Sequence, residues 1–185
     1  MLDDVLLDVE ERMEGAVTAL NADLLGIRTG RATPALVDKI QVEAYGGVMP
    51  MNQVATISIP EPRLIMIRPW DASTIGDIQR AILKSDIGLT PNNDGKVIRL
   101  AIPPLTDERR RDLVKMLNRR LEEARVAIRN VRRDGMRMMA DLEKSKDITE
   151  DDHFKGKDDL QELTDTYVKK VDAAGEQKEA EIMEI

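Results

Sequence analysis

Apolar residues recur at steps of three and four in three long stretches, and at steps near two in the stretch between the first and second. In residues 2–29 the series is Leu2, Leu6, Val9, Met13, Ala16, Leu20, Leu24 and Ile27. These steps predict an amphipathic helix with a heptad-like seam. In residues 106–144 the stripe is Leu113, Leu117, Leu121, Ala124, Ile128, Val131, Met138 and Leu142. Thr106 followed by Asp107 and Glu108 supplies an N-cap and the first-turn acids that suit the positive end of a helix dipole. At about 1.5 Å per residue this helix is roughly 55 Å long, too long for one small globule. The pattern falters at 144–148 and restarts at Thr149 with a cap and acids. Leu160, Leu163, Tyr167, Val171 and Ala174 then mark a third helix, 149–183.

Between the first two helices the period shortens. Residues 37–44, 54–59, 64–68 and 97–102 read as strands. Tyr45, Gly46 and Gly47 signal a turn. Residues 60–63 (PEPR) are expected to interrupt the ladder between the second and third strands. A short helix is predicted over 74–84, capped by Ser73 or Thr74, with Ile75, Ile78 and Ile82 inward. Residues 85–95 (SDIGLTPNNDG) are dense in turn formers and read as a loop.

Three amphipathic helices each have one stripe to bury and are best satisfied against one another. The expected fold class is therefore α+β: an elongated three-helix bundle made of residues 1–30 and 105–185. A small β/α/β domain, 31–104, is inserted between its first two helices. The two connections, near 29–34 and 102–106, are marked by Gly30, Pro34, Pro103 and Pro104. They are expected to lie side by side as a hinge.

Composition sharpens this picture. Only 2% of residues are aromatic although 42% are hydrophobic, so the cores must be aliphatic. The net charge is −7, yet residues 106–145 hold 12 basic and 8 acidic residues. Positive charge is thus concentrated on one helix. Arg125, Arg129, Arg132 and Arg133 fall in one arc of about 100° beside its apolar stripe. Arg111 projects into the same arc, and Arg110 lies nearer the apolar edge. A forked guanidinium matches phosphate and stacks on bases, so this array suits an RNA backbone. The plainer reading is a solvated face neutralised by Glu122, Glu123 and acids of neighbouring helices. Arg28 and Arg31 flank the first connection, where they either bind RNA or cap the first helix.

Other chemistry is thin. There is no cysteine, no apolar run of membrane-spanning length, and no signal-like N-terminus; the expected compartment is the cytoplasm. The single histidine, His153, sits in an acidic first turn read as exposed, and a metal role with Asp151 and Asp152 is weak beside a solvated helix start. No nucleophile elbow or phosphate loop is present. A coiled-coil adaptor and an enzyme built around loop 85–95 are the competing classes, the first supported only by the heptad-like helix.

Four stretches carry a resemblance: IRTGRA at 27–32, SDIGLTPN at 85–92, PPLTDERR at 103–110 and ARVAIRNVRRD at 124–134. They resemble the signature stretches of the bacterial ribosome recycling factor family, and the similarity extends over essentially the whole chain. The resemblance implies a three-helix bundle and a small β/α/β domain on a flexible hinge, with dimensions like a transfer RNA. It implies a monomeric, cytoplasmic, non-enzymatic factor without metal, cofactor or small-molecule substrate. Its implied partners are large-subunit ribosomal RNA and elongation factor G, with no membrane. With that GTPase such factors split the post-termination ribosome into subunits, releasing messenger RNA and deacylated transfer RNA. The family's RNA-contacting arginines match Arg28, Arg31, Arg110, Arg129, Arg132 and Arg133; Arg125 is added on helical geometry alone. Departures from the pattern are Gly135, expected to cost up to about 1 kcal/mol and to bend the helix, the methionine cluster at 136–139, and Trp70.

Overall fold

The computed structural model describes residues 1–184. The chain divides into two compact units, Met1–Arg28 with Thr106–Glu184, and Thr29–Leu105. The last residue of the sequence lies outside the described residues.

The first unit contains α1 (Leu2–Leu25), α3 (Asp107–Lys144) and α4 (Glu150–Met183), and each packs on the other two. Thr106 caps α3 by accepting the Arg109 N–H at 3.1 Å. Thr149 and Asp152 form a capping box at the start of α4, each side chain accepting the other's backbone N–H at 3.1 Å. Between these helices, the Asp147 N–H reaches Leu142 O and the Lys146 N–H reaches Glu143 O, both at 2.9 Å. With Lys146 at φ +64°, this is a Schellman stop; it accounts for the break in pattern at 144–148.

Two expectations are corrected here. α1 ends at Leu25, not at residue 29: Gly26 and Ile27 close i→i+3 bonds to Asp23 O and Leu24 O at 3.1 Å. The tightened turn buries Ile27 without continuing the helix. On α3, Gly135 and Met139 occupy the buried stripe, while Met138 and Leu142 are only half-buried.

Gly135 is a packing position, and α3 runs through it unbroken. A Cβ at Gly135 would lie 2.8 Å from Val9 Cγ2 on α1. Gly156 and Gly175 on α4 repeat the device: a Cβ would meet Leu2 at 2.9 Å and Leu121 at 2.5 Å, respectively. At each of these glycines an aliphatic side chain of another helix fills the space of the missing side chain, so the backbones approach closely without aromatic filler.

In the second unit, β1 (Gln41–Ala44) and β2 (Gly47–Pro50) form a hairpin. Its two-residue turn, Tyr45–Gly46, has φ of +55° and +75°, the conformation that matches strand twist. β3 (Ala55–Glu61), β4 (Leu64–Pro69), β6 (Ile98–Ala101) and β5 (Pro91–Asn93) make an antiparallel sheet in the order β3-β4-β6-β5. α2 (Ile75–Lys84) covers one face. The core is wholly non-aromatic, with Val42, Met51, Ile65, Ile67, Ile78, Ile98 and Leu100 fully buried.

Here too the reading is corrected. Residues 37–39 belong to the turn after a 3-10 segment, Pro34–Leu36, and not to a strand. Pro60 lies within β3, which reaches Glu61 through a register shift. β3 is an edge strand, so the missing proline N–H breaks no ladder bond. The supposed loop 85–95 contains β5, another edge strand opened by Pro91. The side-chain cap ahead of α2 is Asp71, which accepts the Ser73 N–H at 2.9 Å; Ser73 and Thr74 do not fill that role.

Candidate nucleic-acid interface

The stripe of α3 fixes which way its arginines point. Arg129 and Arg133 are exposed, and Arg132 and Arg125 are half-buried at the border of the stripe. Successive fours from Arg129 lead to Arg133 and Arg137, one row along the helix. Lys115 and Arg119, also exposed, fall on the same side by the same spacing. Sequence reasoning passed over Lys115, Arg119 and Arg137, although the period that selected Arg129 and Arg133 reaches them as well.

The sequence-selected residues divide by what they touch. Arg125 is bound within the bundle: its Nη2 lies 2.7 Å and its Nε 3.1 Å from Asp172 Oδ1 on α4, with Glu122 adjacent at 3.5 Å. Arg129 pairs with Glu122 on its own helix. Arg132 has no ion-pair partner among the described residues. Arg133 stands beside Asp134, whose carboxyl is held below its usual range chiefly by a hydrogen bond from Arg12. Arg110 is half-buried, with an Nε that finds no hydrogen-bond partner among the described residues. Arg28 is exposed beyond the end of α1, whose last turn holds no basic residue. Arg31 is exposed in the other unit. Of the hinge candidates, Gly30 has φ +77° and packs against Leu105, while Pro34 opens the 3-10 segment. Pro103 and Pro104 are exposed and lie outside any helix or strand.

Three ion pairs tie the helices to one another in turn. Arg12 Nη2 meets Asp134 Oδ2 at 2.7 Å, joining α1 to α3. Arg125 and Asp172 join α3 to α4. Lys170 Nζ meets Glu14 Oε2 at 3.3 Å, joining α4 to α1, and sits 4.5 Å from the Tyr167 ring centroid. These partners stand far apart in sequence, so periodicity alone does not expose them.

Charge is segregated on a larger scale. α3 carries 12 basic and 8 acidic residues, α1 carries 1 and 7, and α4 carries 5 and 11. Within the bundle the basic residues therefore concentrate on α3.

No group of three or more potential metal ligands is assembled among the described residues. His153 is not in the exposed setting read from sequence: its side chain is 12% exposed and its Nδ1 contacts Glu143. Asp152, expected beside it as a metal partner, is held below its usual range by the Thr149 backbone and hydroxyl of the capping box. No described helix is long and apolar enough to cross a membrane.

Fold and face together define a two-unit α+β protein: a helical bundle with one basic helix, and a separate small sheet unit. The family model for ribosome recycling factor matches residues 20–183. Ribosome-recycling factors of Carboxydothermus hydrogenoformans and Symbiobacterium thermophilum are each 54% identical over 185 residues, covering all of both chains. A solution structure of ribosome recycling factor aligns with TM-score 0.72 at 42% identity, covering 100% of this chain and 98% of that one. Models of the T. thermophilus ribosome recycling factor and the E. coli elongation factor G bound to the E. coli post-termination complex give a TM-score of 0.62 at 39% identity, with 99% of each chain covered. The chain belongs to the ribosome recycling factor family.

Proposed function

We propose that this protein binds the ribosome after termination through the outward face of α3, laid against large-subunit ribosomal RNA. With elongation factor G, and with GTP hydrolysed by that partner, it promotes splitting into subunits and release of messenger RNA and deacylated transfer RNA. The observation that carries the reading is the row Arg129, Arg133 and Arg137 with the unpaired Arg132, on the one net-positive helix of the bundle in an acidic chain. Arg28, Arg31 and Arg110 extend the contact. Arg125, held by Asp172, braces α3 against α4 and contributes less to RNA. The protein acts as a cytoplasmic monomer, makes and breaks no bonds itself, and takes no cofactor.

The small unit is the moving part, and the chain segments near 29–34 and 102–106 are its hinge. Local bonding supports this reading. The Ala32 N–H donates to Pro62 O at 2.7 Å, and the Ile102 N–H donates to Arg63 O at 2.8 Å. Both connections are thus anchored on one turn, β3–β4, at one end of the small unit. Bending is left to the short segments beyond those bonds.

The test is a splitting assay by light scattering, with ribosomes, elongation factor G and GTP. Wild type is expected to split them; Arg129→Ala/Arg132→Ala is expected to need at least tenfold more protein for the same rate. Equal rates would remove α3 from the mechanism. An engineered disulfide across the two connections should abolish splitting while leaving binding intact. Undiminished splitting by the oxidised form would refute the hinge.

A further inference from the structure

Trp70 is the only tryptophan of the chain, and it is 65% exposed. An indole this far out of the core adds little to stability, yet its orientation is fixed. Its Nε1–H donates to Thr56 Oγ1 at 2.9 Å, and its backbone N–H continues the β3 pairing through Val54 O at 3.2 Å. The ring is held by one edge on the surface of the sheet.

Register shows what lies beside it. Thr56 is opposite Arg68, and Ser58 is opposite Met66. Met66 is in turn opposite Arg99, which is opposite Asn92. Because alternate residues share a face, Trp70, Arg68, Thr56, Ser58, Arg99 and Asn92 line the side of the sheet away from α2. The other side holds the buried Ile65, Ile67, Ile98 and Leu100. Arg68 is exposed and has no ion-pair partner among the described residues. It lies two residues from Trp70, about 6.6 Å along the strand. The nearby acids are engaged or peripheral: Asp71, next to Trp70, accepts from the Ser73 N–H and hydroxyl and from the Tyr45 hydroxyl, Glu61 ends β3, and Asp94, in the β5–β6 turn, is bound to Arg99 at 2.6 Å.

The geometry points to a second RNA-contacting site, separate from α3: an unpaired nucleotide stacks its base on the Trp70 indole and sets its phosphate against Arg68. An open antiparallel sheet bearing an oriented aromatic ring, arginine, hydroxyls and an amide is the chemistry that receives single-stranded RNA. A protein partner would be expected to find a contiguous apolar patch, whereas this face supplies only half-buried Leu64 and Met66.

Trp70 is its own reporter. The full-length chain is titrated with fluorescein-labelled octa-adenylate at low salt, reading tryptophan emission and label anisotropy together. The same titration is run on Arg129→Ala/Arg132→Ala, which weakens the proposed α3 site, leaves the sheet face untouched and so keeps the two sites distinguishable. Saturable quenching of Trp70 is expected in both proteins. In the double-variant background, Trp70→Ala is expected to weaken binding roughly tenfold to hundredfold. Trp70→Phe should recover most of the loss, and Arg68→Ala should cost less than Trp70→Ala. Emission that stays constant while anisotropy saturates would overturn the proposal, as would the absence of RNA binding in the double variant. Emission that answers elongation factor G but not RNA would make the face a protein-docking surface and also overturn it. The wild-type quenching requires no variant, so the outcome does not depend on Trp70→Ala folding.

Discussion

The bundle and the small sheet unit face the same shortage of aromatic residues and meet it differently. The sheet unit fills its interior with β-branched and long aliphatic side chains: Val42, Ile65, Ile67, Ile78 and Ile98 are fully buried. The bundle removes volume instead, setting Gly135, Gly156 and Gly175 against Val9, Leu2 and Leu121. The outsides differ as well. Residues 29–105 hold 8 basic and 7 acidic residues, whereas the bundle sets a positive α3 against negative α1 and α4. The bundle's net charge is negative all the same, and its positive charge is confined to α3. The sheet unit, near neutrality, has contact chemistry at short range, through Trp70 and Arg68.

The most severe challenge to this contrast is a cavity in the sheet core. Ile67→Ala should cost about 2–5 kcal/mol, and hydrogen exchange should accelerate in β3, β4 and β6 while α3 and α4 keep their protection. Overfilling a bundle notch should do the reverse at smaller cost. Gly175→Val, with a Cβ 2.5 Å from Leu121, is expected to lose about 1–3 kcal/mol, read as a lower midpoint of helix melting. If either variant loosens both units equally, the two cores are one cooperative structure and the contrast fails.

Acid separates the units more gently. The Val97 N–H first, then Arg99 and the Lys96 N–H, hold the Asp94 carboxyl far below its usual range. Asp134 and Asp152 in the bundle are also lowered, by Arg12 and by the α4 capping box respectively. A depressed carboxyl contributes stability above its unfolded value near 4 and loses it as pH falls through the folded value. Melting temperature should therefore hold from pH 7 to about 4 and fall below that. Asp94→Asn is expected to flatten the decline in the sheet unit and leave the bundle's decline unchanged. The smallest expected effect is a gain: Gly15→Ala on α1, where a Cβ meets nothing within 4 Å, should stabilise the bundle by up to about 1 kcal/mol.

The same contrast explains what the sequence disclosed. α3 was legible because its stripe, its Thr106 cap and its arginine arc are all local and periodic. The Thr149 restart was legible for the same reason. Gly135 was misread because helix propensity counts only its lost side chain, and Val9, which fills the space, stands 126 positions away. The Arg125 partner, Asp172, is likewise invisible to helical spacing. β5 and the passage of β3 through Pro60 were missed because a proline is tolerated only where sheet order places the strand at an edge, and order is a tertiary fact. His153 read as solvated because Glu143 meets it only once the α3–α4 turn has closed. The family, by contrast, rested on long local motifs, and the sheet face around Trp70 emerged only from strand register.

The most direct test of the central claim is co-sedimentation with purified large ribosomal subunits across a range of salt concentrations, for wild type and Arg129→Ala/Arg132→Ala. Each phosphate contact steepens the log–log salt dependence of affinity by roughly one unit. The account predicts that wild type pellets in a salt-sensitive manner and that the double variant binds more weakly, with a slope shallower by about two units. Equal affinity and equal slope for the two proteins would contradict it.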